Sequence, residues 1–62
     1  MTAFEMYTRF IRNGRKTLEH TYEYKMSLQS VRNSLYRIRK QKNEAFMITT
    51  RDLTLTIYDT EA

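Results

Sequence analysis

The chain has no cysteine, no proline and no tryptophan, and only one glycine and one histidine in 62 residues. Without cysteine there is neither a disulfide nor a thiolate metal site, which fits a reducing compartment. His20 alone cannot assemble a metal centre. A single glycine nearly excludes a glycine-rich loop that cradles phosphate, and the lack of proline argues against a linker or disordered tail. No apolar run approaches the length that spans a bilayer. Glu5 stands early and no long apolar stretch follows it, so the first residues do not read as a signal peptide. The expectation is one small cytoplasmic domain over 1–62, with no cofactor, no membrane association and no small-molecule substrate. A chain of this length hides only about 60 % of its unfolded surface, so its core is marginal.

What is present is basic charge, unevenly spread. The net charge is +4. Residues 9–42 hold ten bases against Glu19 and Glu23, whereas residues 43–62 hold Arg51 against four acids. Concentrated positive charge in a helical segment is the footprint of a polyanion partner. The plainer alternative is a solvated basic face.

The richest stretch is Lys25 to Lys42, with six bases and no acid. Ser27 is a good N-cap, because its hydroxyl accepts from an unpaired N–H of the first turn. Val31, Leu35 and Ile38 form an apolar stripe at helical spacing. Gln29, Asn33, Tyr36 and Lys40 fall on the opposite face, flanked by Arg32 and Arg37. Such amides and guanidinium groups suit base edges, and the remaining cations suit phosphates.

Upstream, Thr2 and Glu5 form a capping box that opens a helix over about 2–13. Ala3, Phe4, Tyr7, Phe10 and Ile11 share its inner face, with Met6 at the margin. Phe4 and Phe10 are needed to fill the interior and are core, not a stacking platform. Gly14 stops this helix. A second helix is expected over about 16–24, capped by Thr17, with Leu18, Thr21 and Tyr22 or Tyr24 turned inward. His20 reads as a packing residue. A rival arrangement runs one unbroken helix through 15–42 and makes a helical hairpin; Ser27, a poor interior residue and a good cap, favours a break at 25–27.

Downstream, Phe46 and Ile48 alternate with Met47 and Thr49, and Leu53, Leu55 and Ile57 alternate with Thr54, Thr56 and Tyr58. Period-two alternation predicts two strands in a hairpin over about 45–58, turning at Thr50-Arg51-Asp52.

The segment Met26-Ser27-Leu28-Gln29-Ser30-Val31-Arg32-Asn33-Ser34-Leu35 resembles the turn and recognition helix of helix-turn-helix proteins. The resemblance covers residues 17–42, with Met26 and Ser27 closing the turn and Val31 locking the helix to the core. Where that family usually has glycine this chain has Lys25, a departure that costs about 1 kcal/mol in a left-handed turn. The hairpin after the helix is similar to the wing of winged helix-turn-helix domains. The resemblance implies a mostly α fold (α+β) with three helices, about 2–13, 16–24 and 28–42, followed by a two-stranded wing. It also implies that the wing tip, Arg51, touches the DNA backbone; the alternative is a hairpin that only covers the core.

No catalytic constellation is visible, so an enzyme is not expected. The first reading is a small transcriptional regulator, of the size common in phage and plasmids, that binds double-stranded DNA with helix 27–41. Gln29, Arg32, Asn33 and Tyr36 are the candidate base contacts. Arg15, Lys16, Ser27, Arg37, Lys40 and Arg51 are the candidate phosphate contacts. A homodimer on two half-sites, joined through the edge of strand 53–58, is the expected assembly. The second reading is a small basic module that binds and modulates another protein. The third is RNA binding through the basic helix.

Overall fold

The computed structural model describes residues 1–60. Its elements are α1 (Ala3–Arg12), β1 (Leu18–Thr21), α2 (Lys25–Lys42), β2 (Phe46–Arg51) and β3 (Thr54–Asp59). The strands form one antiparallel sheet in the order β1-β3-β2. Both helices pack on one face of it.

Helix α1 starts as its sequence dictates. The Glu5 N–H donates to Thr2 Oγ1 at 3.2 Å, and the Thr2 N–H donates to Glu5 Oε1 at 3.3 Å. The backbone bond from Thr2 is the main reason that the Glu5 carboxyl lies below its ordinary pKa. Ala3, Met6, Tyr7 and Phe10 are the buried residues of α1. The inner face is therefore rotated towards Met6. Phe4 is 65 % exposed and Ile11 sits at the margin, so Phe4 is not core. After the helix, Gly14 and Arg15 both adopt left-handed backbone, with φ of 69° and 61°.

The expected second helix over 16–24 is a strand. Leu18 and His20 turn inward and Glu19 and Thr21 outward, a period of two that four residues are too few to announce. Leu18 and Tyr22 also fit helical spacing, which is why the segment reads as helix. Its real partner is β3, where Leu18 stands opposite Ile57 and His20 opposite Leu55. The β-favouring Thr21 and Tyr22 gain from that ladder what an isolated segment cannot supply. His20 is partly buried, its ring edge-on to Tyr22 at 4.6 Å.

Helix α2 has no break at 25–27. Tyr24 is its N-cap, extended and without a side-chain cap bond, and Ser27 lies inside the first turn. Residues 25–42 are therefore one helix, as the rival arrangement had it, but the helix does not reach back to residue 15. Asn43 ends it in the left-handed conformation, φ 52°, which asparagine tolerates better than most residues. With no helix at 16–24 there is no helix-turn-helix, and the three-helix winged arrangement is replaced by two helices on a three-stranded sheet.

The hairpin over 45–58 is present, but it turns at Asp52 and Leu53, with Arg51 paired to Thr54 and Asp52 at φ 54°. Leu53 thus belongs to the turn, and its carbonyl accepts from the Tyr22 N–H at 2.8 Å. Strand β3 is the middle strand, so the edge proposed for a homodimer over 53–58 is already occupied by β1.

The core is Met6, Phe10, Leu35, Phe46, Leu55 and Ile57, all fully buried, with Leu28, Ile48 and Tyr22 around them. Phe46 is its centre. The ring of Tyr7 lies 5.9 Å and that of Phe10 6.0 Å from it. Burying a phenylalanine stabilises by about 2–3 kcal/mol, a large share for so small a domain.

Candidate nucleic-acid interface

Helix α2 buries Leu28 and Leu35 and half-buries Val31 and Ile38. One flank, with Ser27, Ser30 and Ser34, lines an open groove of about 580 Å³ that continues to Met1, Ala3 and Tyr22. The other flank and the outer face carry the cations. Lys25, Gln29, Asn33, Arg37 and Lys40 are exposed, and Arg32, Tyr36 and Arg39 are half-buried beside them.

Tyr36 is the hinge between core and surface. Its ring packs against the hydrophobic cluster. The Arg32 guanidinium lies 5.6 Å and that of Arg39 4.9 Å from the ring centroid. Arg32 is one turn before Tyr36 and Arg39 one turn after, the spacing at which helix side chains meet. The aromatic face thereby limits where both guanidinium groups can go. Arg39 is further fixed by Nη1 donating to the Phe46 carbonyl at 3.1 Å.

The expected site residues separate into three groups. Gln29, Arg32, Asn33, Arg37 and Lys40 share one continuous surface of α2 with Tyr36 beneath it. Ser27 lies on the groove side, Lys16 before β1 and Arg51 at the end of β2; all three are exposed and none is in the α2 cluster. Arg15 is turned inward. Its Nε donates to Asp59 Oδ2 at 3.0 Å, its Nη1 to Glu44 Oε2 at 3.1 Å and its Nη2 to the Ala45 carbonyl. The bond to Asp59 is the main cause of a guanidinium pKa raised above its ordinary value. The guanidinium also lies 5.1 Å from the Phe10 ring centroid. Arg15 therefore ties the end of α1 to the sheet and is not free for a phosphate.

This network has an electrostatic consequence. Glu44 and Asp59, two acids of the C-terminal segment, are engaged by Arg15. Tyr7 adds a bond from its hydroxyl to Glu44 Oε1 at 3.1 Å. Among the described residues, no ion pair involves a cation of α2. Among the described residues the six bases of α2 thus have no acid paired to them along a helix about 27 Å long.

Sequence reasoning missed Arg39 as a structural donor and Arg15 as a hub. The Arg15 partners lie 29 to 44 residues away along the chain, so no local pattern marks them. Among the described residues no group of three His, Asp or Glu side chains is placed to hold a metal ion, and no helix is long and apolar enough to cross a membrane.

Comparison with protein-family models, with curated proteins and with solved structures finds no match to this chain.

Proposed function

We propose that the chain binds double-stranded DNA through the outer face of α2 and acts as a small transcriptional regulator inside the cell. The observation that carries this reading is the coincidence, on one exposed helix face, of unpaired cations with the amides of Gln29 and Asn33. A major groove about 12 Å wide admits one α-helix. Gln29 and Asn33 offer paired donor and acceptor groups of the kind that read adenine, and Arg32 a fork of the kind that reads guanine. Tyr36 is better suited to hold Arg32 in place than to touch a base. Arg37 and Lys40, with Lys25 at the other end, serve the phosphates.

The test is a titration of the protein with random-sequence duplex DNA at several salt concentrations, with single-stranded RNA in parallel. Duplex affinity that falls steeply as salt rises is expected, because each neutralised phosphate releases counterions. Absence of duplex binding at low salt would sink the reading. Tighter binding to single-stranded RNA would transfer the α2 face to an RNA function.

A further inference from the structure

Among the described residues, strand β2 has one neighbour, β3. Its open edge can be read from the register. Arg51 and Thr54 flank a two-residue turn, so they form a hydrogen-bonded pair, and such pairs alternate along the ladder. Met47, Thr49 and Arg51 therefore point their backbone groups at β3. Phe46, Ile48 and Thr50 point theirs away from the sheet. The bond from Arg39 to the Phe46 carbonyl agrees, since it arrives from outside the ladder. The bond from the Tyr22 N–H to the Leu53 carbonyl gives the same alternation on the β1 side. The N–H and C=O groups of Ile48 and Thr50 are thus open, and among the described residues no backbone bond besides the ladder uses them.

The flank of α2 that overlooks this edge is the basic one. Arg39 touches Phe46, and Arg32 is bound to the same Tyr36 ring. The connection over 43–45 is three residues long, so the chain reverses between α2 and β2, and Arg32 lies two turns back along α2 from the Arg39 that bonds Phe46. Seven residues of helix advance about 10 Å, as do three residues of strand.

We infer that the β2 edge, with Arg32 and Arg39 beside it, is a strand-addition site for an extended acidic segment of another protein. The incoming strand pairs its backbone with Ile48 and Thr50. Its carboxylates meet Arg32 and the outer face of Arg39. Backbone pairing supplies affinity and the side-chain charges supply selectivity. Charge complementarity decides the occupant. A second copy brought edge to edge sets Arg32 and Arg39 against their own equivalents, which opposes pairing. An acidic strand meets the opposite charge.

The probe is a fluorescein-labelled peptide of about eight alternating Glu and Thr residues, a common strand length. Its counterpart has Lys for every Glu. Saturable binding of the Glu peptide and none of the Lys peptide is expected by fluorescence anisotropy. Thr50→Pro removes an outward N–H without touching the β3 ladder, a position where an edge strand accepts proline. It should weaken the peptide about tenfold, the worth of one or two backbone bonds. The same variant should leave the duplex titration unchanged, so failure here is separable from failure of DNA binding. Amide exchange in the unaltered protein is the second measurement: Ile48 and Thr50 should slow when peptide is added. Equal binding by Thr50→Pro, or unchanged exchange at both amides, would overturn the inference and leave a purely electrostatic contact. Self-association through β2 in sedimentation would also overturn it.

Discussion

Arg15 and Asp59 lie 44 residues apart in the chain and meet at 3.0 Å, Nε to Oδ2. The contact joins the turn after α1 to the end of the central strand. It also holds Arg15 at a left-handed φ of 61°, a conformation that costs a non-glycine residue about 1 kcal/mol. The side-chain bonds to Asp59, Glu44 and Ala45 offset that cost.

Arg15→Ala should therefore lower the urea midpoint by an amount equal to about 1–3 kcal/mol, the range for charge-assisted bonds at a partly exposed site. The salt slope of DNA binding should stay as it was. Lys40→Ala should do the reverse, keeping stability and reducing the slope by about 1. A reduced slope in Arg15→Ala would mean that the ion pairs open to release Arg15 to a phosphate.

The packing around Phe46 gives a contrast between two phenylalanines. Phe46 is fully buried, whereas Phe4 is 65 % exposed. Phe46→Ala should cost about 3–5 kcal/mol and leave little folded protein. Phe4→Ala should stay within about 0.5 kcal/mol of the parent. Chemical denaturation measures both, and a costly Phe4→Ala would contradict the rotation of α1 described above.

Stability should fall in alkali for a specific reason. Burial, followed by the bond to Glu44, raises the Tyr7 pKa from its ordinary 10.0. Burial, with a smaller effect of Glu5, raises that of Tyr22. A raised folded pKa means that the neutral phenol is favoured by folding. This contribution is complete below the unfolded value of 10.0 and is lost as pH rises through the folded one. Tyr7→Phe should flatten the thermal midpoint between about pH 9 and about pH 11 relative to the parent. Parallel curves would remove Tyr7 as the cause.

Base reading and phosphate holding predict different losses. Asn33→Ala should relax preference at one base position and cost about 1–3 kcal/mol on the preferred site only. Lys40→Ala should weaken all duplexes alike. Identical behaviour of the two variants in a selection from random duplexes would place Asn33 outside the groove.

Several features were legible because they are local. The capping box of Thr2 and Glu5 needs only three residues of spacing, and it is present with both bonds. The alternation of Phe46, Ile48, Leu55 and Ile57 needs only a period of two, and all four are buried. The apolar stripe of α2 was also legible, although Leu28 joins it more deeply than Val31. The segment 16–24 failed because its four strand residues fit either period, and the choice depends on β3, more than 30 residues later. Ser27 misled because α2 takes its first turn without any side-chain cap.

The sequence by itself determined where the charge lies, which residues are apolar and where α1 begins and stops, since these follow from composition and from spacings of a few residues. Only the tertiary structure decided that residues 18–21 are a strand, that β3 lies between two partners and that Arg15 is held by two acids while, among the described residues, no cation of α2 is in an ion pair. Those outcomes depend on pairings between distant segments, where strand ladders and buried bonds outweigh the local preference of either partner.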